Sequence, residues 1–328
     1  MKKALITGIF GQDGSYLCEI LANKGYEVHG IIKDPLSHNS QKIKNYLNFL
    51  GVSPHVHSVD LNSYEELKQV IIDIHPDEIY HLAAFHMSAE DNQLSKSIGE
   101  KYLFDYNVKS TSNLLCICYE HIRHVKFVAA GSCLMFDASD SLYQNEKTPF
   151  KSRSLYGLAK ISENMLLTYY RNKGLHASTA ILFNHESSRR SDNFVTKKIV
   201  KSLVAISKGE INSFTLGDLE VKKDWGWARD YAYGMYLIAQ GIEPKDYVLS
   251  SGKGHTIRYF ADIVSNQIGL VDWQKYVLID ENILTRRSYT VLLGDSSLAR
   301  DELNWQHSMT LEQLVHAMVE NELSGVLI

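Results

Sequence analysis

The residues best suited to chemistry lie near the middle of the chain, where a tyrosine precedes a lysine by four positions. This spacing predicts that Tyr156 and Lys160 share one face of a helix, one turn apart. A nearby ammonium lowers the pKa of a phenol, which lets a tyrosine take or return the proton of an alcohol. Ser132 follows an apolar run and is placed to bond the reacting oxygen. We therefore predict a catalytic set of Ser132, Tyr156 and Lys160; the alternative is a chance pair on an exposed helix.

A glycine-rich segment near the N-terminus predicts a turn that binds phosphate. Its glycines form a Gly-x-x-Gly-x-x-Gly pattern between a strand-like run and a helix-like run. Glycine permits a tight turn and close backbone approach, so that free amides at the helix start can hold a pyrophosphate. The alternative is a turn with a purely structural role. We predict a dinucleotide site that contains Gly8, Phe10, Gly11, Gln12, Asp13 and Gly14.

Residues that follow the next two strand-like runs predict the adenosine end of the same site. Lys33 and Asp34 follow the second run. A basic residue there favours a ribose 2′-phosphate and an acidic one bonds a free 2′-hydroxyl, so the pair leaves NAD versus NADP open. Asp60 and Leu61 follow the third run. The Asp60 carboxylate either accepts from an adenine amino group or caps the helix that begins near Ser63.

The apolar pattern predicts the elements that position these residues. Strand-like runs alternate with helix-like stretches, the first of them over residues 15–24, which is typical of an α/β fold with a doubly wound parallel sheet. The predicted strands cover residues 3–7, 27–32, 56–59, 78–82, 126–130, 177–183 and 247–250. We expect a cofactor domain over residues 1–183, with a returning segment near 230–250, and a smaller, interleaved C-terminal substrate-binding lobe over 184–328.

The composition favours an ordinary globular protein. The 328 residues are 45% hydrophobic, and a net charge of −4 gives no global attraction to nucleic acid or to an anionic membrane. Cys18, Cys116, Cys118 and Cys133 lack the paired spacing of metal ligands, so we predict no metal site. The first apolar run is too short for a signal peptide, and no stretch approaches the ~20 apolar residues of a membrane span. We expect a cytoplasmic protein.

Longer segments carry a resemblance to a known family. They are residues 4–8, 12–17 and 24–30, then Leu82-Ala83-Ala84, Thr148-Pro149-Phe150, residues 182–187 (which read LFNHES) and 194–196, Asp224-Trp225-Gly226, and residues 229–231 and 292–295. Over nearly the whole chain the sequence resembles the GDP-mannose 4,6-dehydratase family, within the extended short-chain dehydrogenases/reductases.

The resemblance implies a Rossmann domain, a lobe that binds a GDP-linked nucleotide sugar, and NAD or NADP as a cofactor that is reused or exchanged. It implies oxidation at C4 of the sugar, with Tyr156 and Lys160 also contacting the cofactor. Leu82, Ala83 and Ala84 would line the cofactor site. The nucleotide sugar would be surrounded by Asn184, Val195, Lys198 and Lys223, with Arg286 or Arg287 near its diphosphate. Homo-oligomers, dimers or tetramers, are usual in that family.

The chain departs from the family pattern at the reaction centre. The family reads Thr-Ser-Glu after the fifth strand, and that glutamate removes the C5 proton during water elimination. This chain reads Ser132-Cys133-Leu134. Leucine cannot act as a general base, and loss of a positioned base costs on the order of 10²- to 10⁴-fold in rate. Cys133 is a poor substitute, since a buried thiol is usually inert.

Other departures surround the expected substrate. His86 stands where the family has a small residue; we interpret it as a hydrogen-bonded polar residue, with a sugar contact or proton donor as the alternative. The remaining departures are Asp34 and Lys223, which replace arginines, and Thr285 and Ser288, beside the displaced Arg286 and Arg287. Three functions stay open: oxidoreduction at C4 of a GDP-linked sugar, 4,6-dehydration with a different base, and a non-catalytic cofactor-binding partner.

Overall fold

The protein was analysed as a computed structural model, which describes residues 1–33, 37–85, 96–280 and 291–325. Its strands are, in chain order, β1 (Lys3–Thr7), β2 (Glu27–Ile32), β3 (His55–Ser58), β4 (Glu78–His81), β5 (Lys126–Ala130), β6 (Tyr143–Gln144), β7 (His176–Leu182), β8 (Asn184–Glu186), β9 (Phe214–Leu216), β10 (Lys222–Trp227), β11 (Tyr247–Leu249), β12 (Gly254–Thr256), β13 (Val277–Ile279) and β14 (Leu293–Gly294).

Helices connect most of these strands. They are α1 (Gln12–Asn23), α2 (His38–Phe49), α3 (Tyr64–Ile74), α4 (Lys96–His121), α5 (Leu155–Asn172), α6 (Val195–Ser207), α7 (Ala228–Gln240), α8 (Ile257–Ile268), α9 (Ser297–Leu303) and α10 (Leu311–Ser324), with 3₁₀ turns at Cys133–Phe136 and Trp273–Tyr276. In the described part of the chain, no helix is both long and apolar enough to cross a membrane.

A parallel sheet forms the centre of the fold. Within the described residues it has seven strands in the order β11-β7-β5-β4-β1-β2-β3. The strand order reverses between β1 and β4, and ligands of open α/β sheets bind at such a switch point, beyond the carboxyl ends of the strands. The predicted α/β class and doubly wound parallel sheet are therefore confirmed.

Both faces of the sheet are buried because successive side chains of each strand point to opposite sides. On β1, Ala4 and Ile6 pack into the layer that holds α1 and α7, whereas Leu5 packs into the layer that holds α3, α4 and α5. This double burial explains why the strands read as nearly continuous apolar runs. A third apolar cluster joins α6, α8 and α10 and belongs to the C-terminal part of the chain.

The structure corrects the predicted element ends in places. The third strand is His55–Ser58, one residue earlier than predicted, and the first helix begins at Gln12 and not at Ser15. Helix α1 includes Gly14 in its first turn, where the side chain of any other residue would collide with the preceding loop. β11 pairs with β7 in the central sheet, although it follows elements of the lobe. The predicted domain limits at residues 183 and 184 stay a prediction.

Candidate active site

The glycine-rich loop has the geometry of a turn that only glycine can build. Gly8 has a φ of +73°, in the left-handed region that other residues rarely adopt, and its carbonyl oxygen accepts the amide of Gly11 at 2.9 Å. A Cβ built on Gly14 would collide with that carbonyl oxygen and lie 2.8 Å from the Ile9 Cα. The backbone of the loop therefore lies directly against the start of α1, where phosphate groups can bind.

A cavity of about 360 Å³ opens beside this loop, at the carboxyl ends of β1, β2 and β4. The predicted cofactor residues that line it are Gly8, Phe10, Gly11, Lys33, Leu61, Leu82, Ala83 and Ala84. The structure adds Ser37, Ser40, Tyr102 and Tyr106 to the wall. Apolar and aromatic walls with a few polar groups suit an adenine and its ribose. The cavity and the glycine turn together fit the adenosine and pyrophosphate portions of a dinucleotide.

Lys33 lies at the rim of the cavity and is exposed. Its ammonium donates to the hydroxyl of Tyr102 at 3.2 Å and lies 5.5 Å from the ring centre of Tyr106. Attraction to these rings keeps the charge at the mouth of the cavity. Its neighbour Asp34 lies outside the described residues, so the predicted contrast between the two side chains stays a prediction.

The local contacts of Asp60 exclude one of its two sequence alternatives. Its carboxylate accepts the amide of Asn62 at 3.0 Å, which closes a local turn. Helix α3 is preceded by Ser63, which occupies the cap position without a side-chain hydrogen bond. The prediction that Asp60 caps this helix was therefore wrong, because two residues lie between Asp60 and the cap position at Ser63. Its proposed contact with adenine stays a prediction, whereas Leu61 is buried in the wall of the cavity.

Gln12 and Asp13 join the cofactor loop to the segment that begins the C-terminal lobe. Gln12 donates to the carbonyl oxygen of His185 at 3.1 Å and accepts from the hydroxyl of Ser187 at 2.9 Å. Asp13 lies 3.0 Å from Nε2 of His185, whose Nδ1 lies 2.6 Å from the carbonyl oxygen of Phe183. Since both neighbours of the ring accept protons, the imidazole is doubly protonated.

Electrostatics supports this charged pair. Burial opposes the charge of His185, but Asp13 outweighs burial and raises the pKa of the imidazole. Burial also opposes the charge of Asp13, but His185 outweighs it and lowers the pKa of the carboxyl. His185 was quoted in the sequence only as part of a longer motif. Its role as a charged partner depends on a contact between residues far apart in the chain, which local spacing does not reveal.

The predicted reaction pair lies at the start of α5. Ser154 caps this helix by accepting the amide of Gly157 at 3.1 Å. Tyr156 and Lys160 share a face as predicted, with the ammonium 5.8 Å from the centre of the phenol ring. The ammonium also lies 3.0 Å from a carboxylate oxygen of Glu163. This arrangement places an acid-base group beside a fixed cation, as proton transfer to a bound alcohol requires.

The pKa of Tyr156 is raised, contrary to the expectation from its lysine neighbour alone. Burial is the main cause, Lys160 and Arg190 oppose it, and Glu163 and Cys133 add to it. The tyrosine is therefore a protonated acid at rest. Glu163 is a residue that sequence reasoning missed, because a lysine and a glutamate three positions apart usually form an exposed pair.

The segment after β5 is held against the start of α5. Ser132 accepts the amide of Leu134 at 3.2 Å, at the start of the 3₁₀ turn. A Cβ built on Gly157 would collide with the carbonyl oxygen of Leu134, so the two segments are in direct contact. The structure thus packs the turn that begins at Ser132 against the helix that holds Tyr156. Burial raises the pKa of the Cys133 thiol to about 12, which makes it a poor base at neutral pH.

The predicted substrate residues lie on neighbouring elements of the lobe. Asn184 begins β8 and is paired in register with Trp225 of β10, two positions after Lys223. The Lys223 ammonium acts electrostatically on Cys133, which places it near the reaction centre. Val195 and Lys198 lie in the first turn of α6. Their substrate contacts stay predictions. His86, Arg286 and Arg287, as well as Thr285 and Ser288, lie outside the described residues.

Arg190 is a second residue that the sequence analysis missed. Its Nε lies 3.3 Å from Glu186, and its guanidinium lies over the Phe194 ring. The same charge acts on Asp13 and Tyr156, so it lies near both the cofactor loop and the reaction pair. A guanidinium in this position is suited to a phosphate oxygen.

Solved structures of several nucleotide-sugar enzymes share this fold. The UDP-glucose 4-epimerase from Thermotoga maritima, solved with UDP-glucose, has a TM-score of 0.82 at 18% identity and matches 98% of this chain and 99% of its own. A dTDP-glucose 4,6-dehydratase from Bacillus anthracis, solved with NAD, has a TM-score of 0.80 at 18% identity, over 98% and 96%. At this level of identity the likeness concerns the fold.

The sequence relatives are more specific. GDP-mannose 4,6 dehydratase 2 from Arabidopsis thaliana is 39% identical over 98% of this chain and 87% of its own length. GDP-mannose 4,6 dehydratase from Homo sapiens is 35% identical, over 98% and 91%. The family model described as GDP-mannose 4,6 dehydratase matches residues 5–318, which include the glycine turn, the Tyr156–Lys160 pair and most of the lobe. The chain therefore belongs to the GDP-mannose 4,6-dehydratase family of enzymes.

Proposed function

We propose that the protein is an NAD(P)-dependent oxidoreductase that acts at C4 of a GDP-linked sugar, as a 4-keto reductase, a 4-dehydrogenase or a 4-epimerase. The observation that carries the proposal is the reaction centre itself. Ser132 and the Tyr156–Lys160 pair are present, whereas Leu134 stands where the family pattern has its general base. This set supports proton transfer at one carbon but lacks a group to remove a second proton.

Each side chain of the reaction centre would have a separate role. Tyr156 exchanges a proton with the C4 oxygen, and its raised pKa keeps the phenol protonated at rest, which is the form that donates to a carbonyl oxygen. Ser132 orients that oxygen from the end of β5. Lys160 would fix the phenol and contact the ribose of a nicotinamide cofactor, and that cofactor would supply or accept the hydride at C4. The Gly8–Gly14 turn holds the pyrophosphate, and the cavity beside Lys33 holds the adenosine end.

The lobe supports a nucleotide sugar as the substrate. Lys223 and Arg190 both act on groups of the reaction centre and supply positive charge for a diphosphate. Asn184 begins the strand that leads from the reaction centre into the lobe. The GDP group is inferred from the relatives that are named GDP-mannose 4,6 dehydratases.

A second candidate is a 4,6-dehydratase, which the identity to these relatives favours. It requires a base other than Leu134. The buried Cys133 thiol is unsuited, since its pKa is about 12. A dehydratase would therefore need a base that is not yet recognised.

Incubation with GDP-mannose and related GDP sugars separates these candidates. Each reaction is run with and without NAD(H) or NADP(H), and the absorbance of the reduced cofactor and the product mass are followed. A change of two hydrogens with stoichiometric cofactor turnover, or an isomer of unchanged mass, supports chemistry at C4. Loss of water without net cofactor consumption refutes the proposal in favour of the dehydratase. Tyr156→Phe is the control, since any of these activities should fall with it.

We also propose a homo-oligomer, a dimer or tetramer. Large apolar side chains of α5 are exposed at one helical face: Leu158 is 44%, Met165 66% and Tyr169 53% exposed. Apolar side chains clustered on a surface commonly mark contacts between chains. Light scattering on the purified protein tests this, and Met165→Lys should shift the mass towards the monomer if this face is the interface.

A further inference from the structure

A buried carboxylate lies behind the proposed reaction pair. Glu163 and Lys160 form an ion pair of 3.0 Å, and their side chains are only 4% and 3% exposed. The two residues are one turn apart on α5. Two charges are rarely removed from water in this way unless further hydrogen bonds hold them. Oε2 of Glu163 accepts from Lys160, whereas Oε1 is buried and has no hydrogen-bond partner among the described residues, so the polar groups near it matter.

The hydrogen bonds form a chain with a defined direction. The hydroxyl of Thr7 accepts the amides of Leu82 and Ala83, each at 3.1 Å, which occupies its lone pairs. Its proton therefore goes to Nδ1 of His81, at 2.8 Å. Nε2 of the neutral His81 then donates to the hydroxyl of Thr111 at 3.1 Å. Burial and the charge of Lys160 lower the pKa of His81 to about 3, so the ring is neutral as this scheme requires.

The chain ends beside the carboxylate. Because Thr111 accepts from His81, its own proton is free to turn towards Glu163, and the hydroxyl of Thr111 lowers the pKa of that carboxyl. Every donor therefore points towards Glu163 and stabilises its anion. Burial raises the pKa of Glu163, and Lys160 and Thr111 oppose the rise. Burial also opposes the charge of Lys160, but Glu163 outweighs it and raises the pKa of the ammonium.

We propose that Glu163 is a positioning residue of the reaction centre: it holds the Lys160 ammonium beside Tyr156 through a carboxylate that Thr111, His81 and Thr7 anchor to the cofactor-binding end of the sheet. The anchor is the Leu82–Ala83 backbone, which lines the cofactor cavity. The inference rests on the proposed roles of Tyr156 and Lys160.

The same carboxylate controls the proton affinity of the pair. The charged and titratable groups that act on Tyr156 are Lys160, Glu163, Cys133 and Arg190, and Lys160 is the one that acts on His81. Removing the negative charge of Glu163 leaves the pair with one positive charge more. The Tyr156–Lys160 pair then loses its first proton at lower pH, whether the phenol or the ammonium releases it.

Glu163→Gln tests the proposal, because it keeps the shape of the side chain and removes the charge. The protein is labelled with ¹³C at tyrosine Cζ and lysine Cε, and Tyr156→Phe and Lys160→Met identify the two resonances. We expect the first ionisation of the pair to move down by about one pH unit or more. The titration needs no substrate, so it is independent of whether a GDP sugar is turned over.

Glu78→Gln is the matched control. Glu78 is also buried and lies 3.1 Å from a lysine ammonium, that of Lys2, but it is at the opposite end of β4 from His81. It should lower stability without moving the ionisation of the pair. Unchanged ionisation in Glu163→Gln, or an equal change in Glu78→Gln, overturns the proposal.

A second pair of variants covers the case in which Glu163→Gln does not fold. Thr111→Val removes the donor to Glu163 and should lower the first ionisation in the same direction, whereas Thr111→Ser should retain the wild-type value. Equal values in the two variants count against the chain. If the ionisation shifts as expected but no GDP sugar reacts, the positioning role stands and the proposed substrate is wrong.

Discussion

The bond between Asp13 and His185 should stabilise the junction of the cofactor loop and the lobe in a pH-dependent way. The perturbation is Asp13→Asn, which keeps an oxygen acceptor and removes the charge. A hydrogen bond to a charged group contributes about 1.5–3 kcal/mol. Unfolding a chain of 328 residues has an entropy of about 0.7 kcal/mol/K, so the melting temperature should fall by roughly 2–4 °C.

The signs of the two pKa shifts define where this loss is largest. The pKa of Asp13 is lowered, so its contribution is present above about pH 4 and is lost as the pH falls through the folded value. The pKa of His185 is raised, so its contribution is full below about pH 6.5 and is lost as the pH rises through the folded value. The difference between wild type and variant should therefore be greatest between about pH 4 and 6.5.

Thermal unfolding by circular dichroism across this range and up to pH 9 tests the expectation. Asp140→Asn is the control, since Asp140 is 94% exposed in its pair with Lys151 and such pairs contribute little. A loss in Asp13→Asn that is the same at every pH, or no larger than in Asp140→Asn, would refute the role assigned to the charged pair.

Three further outcomes are expected. Gly14→Ala should abolish NAD(H) and NADP(H) binding in a fluorescence titration, because its Cβ would collide with the Gly8 carbonyl oxygen; retained binding contradicts the loop geometry. Lys33→Glu should weaken NADPH binding by roughly 10- to 100-fold relative to NADH if the ammonium meets a 2′-phosphate, and equal changes for both exclude that contact. Leu134→Glu should introduce loss of water from GDP-mannose, measured by product mass, whereas Leu134→Gln should not; no difference between the two would show that this position does not select the reaction.

Much of the fold and of the site was accessible from local patterns. The strands were predicted because burial of both sheet faces produces continuous apolar runs in the sequence. The Tyr156–Lys160 pair was predicted because residues four positions apart on a helix lie on the same face. Ser132 was found for a similar reason, since it directly follows a strand. Each of these inferences depends on residues that are close in the chain.

The features that were missed depend on tertiary contacts. Asp13 was predicted as a cofactor contact, and its bond to His185 crosses from one half of the chain to the other. Glu163 has an ordinary position on a helix, and only burial distinguishes it from a surface residue. Asp60 had two reasonable alternatives, and the cap was wrong because a short turn intervenes. Sequence spacing contains no information on which of several polar groups becomes buried.

The arrangement around Lys160 bears directly on the reaction type. A family member without its glutamate base could still eliminate water if another carboxylate took over. Glu163 is unsuited to that task, because its carboxylate forms a buried ion pair with Lys160 and its side chain is 4% exposed. Taking the C5 proton would break the ion pair and leave the Lys160 charge buried without a partner, which is costly. The negative charge of Glu163 therefore acts on the proton affinity of Tyr156 and Lys160, which favours the proposed chemistry at C4 over elimination by this carboxylate.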